Sequence, residues 1–111
     1  MVELSKDRRR AVRAVAALEL TCTAGGSFTF APRLVDVPVK KTGQFNRFFG
    51  PITSRNDDGT TTDVQGRISG RLNKSQTLIT GISTITFTDH DAAGVVSDTC
   101  TSGSVTWKAK Q

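Results

Sequence analysis

From Asp63 to Asn73 the chain alternates without a break. Val64, Gly66, Ile68, Gly70 and Leu72 fall on one side, and Asp63, Gln65, Arg67, Ser69, Arg71 and Asn73 on the other. Successive side chains of an extended strand point to opposite faces, so this segment reads as a strand with one dry and one wet face. A second long strand, Thr77 to Thr88, is threonine-rich and carries Ile79, Ile85 and Phe87 on one side, as antiparallel partners do. Asn73 to Gln76 supplies the turn between them. The last strand, Ser104 to Lys110, sets Val105, Trp107 and Ala109 against Thr106, Lys108 and Lys110. That alternation makes Trp107 a core residue rather than a ligand platform.

Residues 11–22 are ambiguous, because alanines favour helix while the pattern alternates. The alternation runs on into the β-favouring Leu20-Thr21-Cys22 end, so the segment is read as one strand. Val12, Ala14, Ala16, Leu18, Leu20 and Cys22 then share a face. Ser5-Lys6-Asp7-Arg8 becomes the turn of a hairpin opened by Val2 to Leu4. Gly25-Gly26 breaks the chain, and Ser27 to Phe30 is a short strand. Pro32 and Pro38 lack the amide hydrogen a central strand needs, so Leu34 to Val39 is read as an edge strand. Gly43 to Phe49 is another strand, ended by Gly50-Pro51. Asn56-Asp57-Asp58-Gly59 has the residues of a tight turn, and 89–98 reads as an acidic loop. Short strands joined by polar turns, with no convincing helix, predict an all-β fold, an antiparallel β-sandwich or jelly roll.

At 111 residues the chain fits a single domain, 1–111. Its core is modest, with no Tyr, six Phe and one Trp. Cys22 and Cys100 are its only cysteines. Spacing alone leaves open whether they are bridged or are two buried thiols; a bridge would contribute roughly 4–5 kcal/mol by restricting the unfolded chain. Net charge is +5, with ten Lys or Arg against four acids in residues 1–55 and five against six in the remainder. Lys6, Arg8, Arg9, Arg10 and Arg13 form the densest basic run, beyond which come Lys40, Lys41 and Arg47. Such a patch suits phosphate, an anionic envelope polymer or an anionic membrane surface, but three consecutive arginines in a hairpin read first as a solvated turn. No apolar run is long enough to span a bilayer. Arg13 and Glu19 interrupt the only stretch resembling a signal peptide, so an export signal is expected upstream of residue 1.

Few residues carry chemistry. Asp89-His90-Asp91-Ala92-Ala93-Gly94 begins like a calcium loop, but Ala93 and Cys100 stand where ligands are required. A looser site of Asp89, Asp91 and Asp98 competes with a plain hairpin loop. One His and two distant Cys make no zinc cluster. His90 is the only imidazole and no serine sits in a nucleophile elbow, so no enzyme, cofactor or metal is expected. The binding candidates are Phe45-Asn46-Arg47-Phe48-Phe49, which puts aromatics on both faces of one strand. Unless both faces are buried or the residue caps a sheet edge, Phe48 beside Arg47 and Arg55 would stack on a sugar ring, a base or a partner protein.

The glycine-spaced Gly66-Arg67-Ile68-Ser69-Gly70-Arg71-Leu72, the long strand with Gly81, and Cys100-Thr101-Ser102-Gly103-Ser104-Val105-Thr106-Trp107-Lys108-Ala109 together resemble an uncharacterised family of small exported actinobacterial domains. Val2 to Cys22 is similar to that family's opening hairpin, while 50–62 and 89–98 depart from its pattern. The resemblance implies export, an antiparallel sandwich and pairing of Cys22 with Cys100, and it implies no catalytic residue. The expected function is a non-catalytic extracellular or cell-envelope module for binding, adhesion or assembly, with an envelope polymer, glycan or protein as partner. The alternatives are a nucleic-acid-binding barrel using the basic N-terminal half, disfavoured by an oxidised bridge, and a repeating subunit joined through edges such as Leu34 to Val39.

Overall fold

The computed structural model describes residues 1–15 and 17–111, and every regular element among them is a strand: β1 (Val2–Leu4), β2 (Arg10–Val15), β3 (Leu18–Cys22), β4 (Ser27–Phe30), β5 (Arg33–Pro38), β6 (Gln44–Arg55), β7 (Thr61–Leu72), β8 (Leu78–His90), β9 (Val96–Thr101) and β10 (Val105–Lys110). All pairings are antiparallel. A three-stranded sheet, β1-β2-β5, packs against a larger sheet of order β4-β3-β9-β8-β7-β6, in which β10 also pairs with β8. Thr101 pairs with Thr86 and Val105 with Ser83, so β9 and β10 run along the same edge of β8 as one strand interrupted at 102–104. The long strands β6, β7, β8 and β9–β10 form a meander that gives the molecule its 52 × 22 × 17 Å shape.

Four reversals use one device. At Gly25, Gly43, Gly59 and Gly94 the backbone is left-handed, and each glycine amide bonds the carbonyl three residues back, at Cys22, Lys40, Asn56 and Asp91. This is the three-residue hairpin loop, whose last position favours glycine.

The alternation of β7 works as the sequence predicts: Ile68, Gly70 and Leu72 are buried while Gln65, Arg67 and Arg71 are exposed. Two clusters fill the inner face. In one, Val2, Ala11, Ala14, Leu34 and Val37 of the small sheet meet Phe45, Ile68, Leu72, Ile79 and Ala109. In the other, Leu18 and Leu20 meet Ile85 and Cys100, flanked by Phe30, Phe49, Val64 and Phe87. Each large aliphatic side chain so buried stabilises by about 1.5–3 kcal/mol. Phe28 and Phe30 meet the Phe87 ring edge-on, with centroids 5.3 and 5.1 Å away.

Residues 11–22 are two strands in two sheets, not one, with the break at Ala17; Ala16 lies outside the described residues. Glu3 pairs with Arg13 but Leu4 with Ala11, so Val12 is an extra residue in the ladder and is exposed. The inward positions become Ala11 and Ala14, because a bulge resets the period of two. Gly50-Pro51 does not end β6 either. A register shift between Phe49 and Ile52 absorbs it, and pairing resumes from Ile52–Val64 to Arg55–Thr61. Of the acidic 89–98 stretch, only the turn between His90 and Val96 is loop. β5, preceded by Pro32 and ending in Pro38, is an edge strand, as the sequence predicts.

Cys22 and Cys100 are register partners across β3 and β9 and form a disulfide, with Cα atoms 4.0 Å apart. Beside it, Asp98 Oδ1 accepts bonds from the Ala24 amide at 3.0 Å and the Thr23 hydroxyl at 2.9 Å. These two donors, the amide first, hold the Asp98 carboxyl below the usual carboxylate range. A depressed folded-state pKa gives stability that is present above the unfolded value and is lost as pH falls through the folded one. The β3–β4 hairpin is therefore expected to loosen below about pH 4. Asp7 and Asp58, held low by hydrogen bonds in their own turns, act in the same sense. Thermal melts across an acid series check this: Asp98→Asn should reduce the acid dependence without removing it.

Trp107 lies on the inner face, where its ring Nε1 donates to the fully buried Ser83 hydroxyl at 2.9 Å. The indole rests on bare backbone. A Cβ at Gly81 would sit 2.1 Å from Trp107 Cζ2 and 2.4 Å from the Ser69 carbonyl oxygen. Gly81→Ala is expected to destabilise by about 3 kcal/mol, near the upper end for overpacking, because one of the colliding atoms is backbone and cannot swing aside. Denaturant unfolding measures it.

Candidate functional site

The outer face of the meander is built by the same alternation that fills the core. Pairing aligns two outward-pointing rows across β6, β7, β8 and β10: Gln44, Arg71, Thr80 and Lys108 form one, and Asn46, Ser69, Ile82 and Thr106 the other. Between them runs the row Phe45, Gly70, Gly81 and Trp107, whose side chains, where present, face inward and whose backbone is exposed outward as a floor. The result is a groove of about 1060 Å³ crossing the strands, with Lys40 and Pro38 at one end and Arg67 reaching in from the side.

Its charge is one-sided. Lys40, Arg67, Arg71 and Lys108 line it, and no carboxylate does. Among the described residues the ion pairs lie elsewhere: Arg10 with Asp36 at 3.1 Å, Arg13 with Glu3 at 3.8 Å, and His90 with Asp63 at 3.6 Å if the imidazole is protonated. The acids of the meander cluster at its opposite end, where Asp57 and Asp58 occupy one turn and Asp91 the next. Those turns adjoin, since a Cβ at Gly59 would meet Ala92 at 3.5 Å. At about 3.3 Å per residue the two ends lie about 30 Å apart, well beyond the screening length in physiological salt.

Phe48 is two-thirds exposed, at 66%, at one corner of this face. Its register partner is Arg67, whose guanidinium sits over the Phe48 ring at 5.4 Å from the centroid. Asn46 Oδ1 accepts from Arg67 Nε at 2.8 Å and fixes that pose. The cation beside Phe48 is therefore Arg67 rather than Arg47 or Arg55. Arg47 pairs with Ile68 and so points to the other side of β6, because neighbouring residues of a strand face opposite ways. Arg55 lies at the far end of the strand, opposite Thr61. The sequence trio is not brought together; of the groove cations only Lys40 was singled out in the sequence, as part of the basic patch, and Arg67, Arg71 and Lys108 were not.

The other candidates are separate too. Asp89 accepts from Thr62, Asp91 from the Ala93 and Val95 amides, and Asp98 from Thr23 and Ala24, so the three carboxylates serve three local structures. Cys22, Asp98 and Cys100 bring ligand-type atoms within 4.8 Å, but both sulfurs are bonded to each other and neither is a thiolate. The Lys6–Arg13 run is partly neutralised by Asp36 and Glu3, and Asp7 closes its turn by accepting from Ser5 and Arg9. Comparison with protein-family models, with curated proteins and with solved structures finds no match. Among the described residues no helix is long and apolar enough to cross a membrane.

Proposed function

We propose that this chain is a non-catalytic extracellular or cell-envelope module that holds an anionic polymer on the outer face of its meander. The observation that carries the reading is the groove holding Lys40, Arg67, Arg71 and Lys108 without a carboxylate, on a molecule whose meander acids gather at the other end. Unpaired cations in a concave, one-signed surface raise the local concentration of anions and favour their capture. The Cys22–Cys100 disulfide supports an oxidising compartment, and the resemblance of the 66–72 and 100–109 segments to exported actinobacterial domains points the same way. His90, the only imidazole, packs beside Asp63 near the far end and offers the groove no base.

Binding to an immobilised sulfated polysaccharide, read against a neutral dextran surface, tests the proposal. Reversing two groove charges, Arg71→Glu with Lys108→Glu, is expected to weaken retention at least about tenfold, or about 1.4 kcal/mol. Neutralising Arg8, Arg9 and Arg10 together is expected to change it less than about threefold, since part of that run is already paired. The opposite order, with the turn essential and the groove dispensable, would overturn the assignment.

A further inference from the structure

We infer that the polymer is an acidic polysaccharide, with its acid groups on alternate sugars, lying across the strands rather than along them. This rests on the groove's being the binding face. The direction follows from the register. The floor runs from Phe45 through Gly70 and Gly81 to Trp107, perpendicular to the strands, and its walls are outward side chains two residues apart. That spacing sets the two rows of wall side chains about 7 Å apart, centre to centre, over a floor that carries no outward side chain.

Cation spacing sets the charge period. Arg71 and Lys108 flank Thr80 in one row, two strand spacings apart, or about 10 Å. Arg67 lies four residues from Arg71 along β7, about 13 Å away. The Arg71–Lys108 interval, which lies along the groove, favours charges repeated along an extended ligand over one compact anion, while Arg67, displaced along the strand, flanks the groove beyond the Ser69 wall. Between the cations the walls are mostly hydroxyls and amides, Gln44, Asn46, Ser69, Thr80 and Thr106, with the half-exposed Ile82 as the one apolar wall residue. Such groups serve a polyhydroxylated chain better than a phosphate polymer, which needs only positive charge.

The corner at Phe48 adds the third element. A sugar acid presents an apolar C–H face beside a carboxylate, and Phe48 with the guanidinium held over part of its ring presents an exposed apolar surface beside a cation. Phe48 is the one exposed aromatic on this face. Single-stranded nucleic acid is usually held by a succession of stacking aromatics along a basic track, which this surface lacks.

Calorimetric titration with hyaluronan oligosaccharides, which carry one carboxylate per disaccharide, tests the inference against carboxyl-reduced oligosaccharides, inorganic polyphosphate, oligothymidylate and inorganic phosphate. Affinity is expected to rise at least about tenfold from disaccharide to hexasaccharide and to be lost on carboxyl reduction. Phe48→Ala, at an exposed position that should leave the melting temperature unchanged, is expected to weaken the hexasaccharide about tenfold and polyphosphate less than twofold. If polyphosphate or oligothymidylate binds as tightly as the hexasaccharide and Phe48→Ala changes nothing, the glycan inference fails while the anionic groove stands. Tight binding of phosphate alone overturns the extended-chain geometry. If no anionic polymer binds, both readings fail.

Discussion

Trp107→Ala is expected to lower stability by about 3–5 kcal/mol, the range for removing a large core aromatic. The cost has two sources. The indole fills the space over Gly70 and Gly81 and packs against Phe45, with ring centroids 6.3 Å apart. Its Nε1 also satisfies Ser83, whose hydroxyl is fully buried and would lose that donor. Chemical unfolding followed by far-ultraviolet dichroism measures the loss. A sharper expectation concerns the pair with Gly81→Ala. The added methyl collides mainly with the indole, so in the Trp107→Ala background it should cost markedly less than in the wild type, the residual coming from the Ser69 carbonyl. Additive effects would mean that the indole does not lie on Gly81.

The second large effect is loss of the bridge. Cys22 and Cys100 close a span of 78 residues, and replacing both by alanine is expected to destabilise by about 4.5 kcal/mol in the chain-entropy account. The damage should begin locally. The β3–β9 ladder is short, Thr21–Thr101 and Cys22–Cys100, and is continued only by the bonds of Thr23 and Ala24 to Asp98 and Thr99, so the bridge is the covalent fastening of the β3–β4 hairpin to the meander. Amide hydrogen exchange is expected to quicken in residues 18–30 before it does in β7 and β8. A loss below about 1 kcal/mol, with β3–β4 protection unchanged, would show that packing of Leu18 and Leu20 on Ile85 is sufficient without the bridge.

The sequence was most legible where one period of two runs uninterrupted. In β7, β8 and β10 the alternation identified the inner face, including Trp107, and the same reading placed Arg67, Arg71 and Lys108 outward. It could not say that Arg71 and Lys108 fall in one row, since that depends on the pairing of β7 with β8 and of β8 with β10. The groove is a property of register, and register is not written in any one strand. Arg47 looked like the natural companion of Phe48 because it is adjacent in sequence, yet adjacency in a strand means opposite faces. Cross-strand pairing supplied Arg67 instead.

The failures elsewhere have a common cause in single-residue irregularities. Val12 is extruded from the β2 ladder, and the Gly50-Pro51 step is absorbed within β6, so one segment lost its continuous face and the other gained a second half. The turns were more informative than the reading made them. Cys22-Thr23-Ala24-Gly25, Lys40-Lys41-Thr42-Gly43, Asn56-Asp57-Asp58-Gly59 and Asp91-Ala92-Ala93-Gly94 share a glycine at the fourth place, each closing the same kind of loop. Comparing those four tetrads would have identified the Asp91 segment as a reversal between two strands, leaving no room for a long acidic loop.

The most direct test of the groove as the binding face is an amide-resolved nuclear magnetic resonance titration with hyaluronan hexasaccharide. Saturable shifts are expected at residues 44–48, 67–71, 80–82 and 106–108, with little change at the Asn56–Gly59 and Asp91–Gly94 turns. Shifts confined to the Lys6–Arg10 turn or to the acidic end, with the groove silent, would contradict the account.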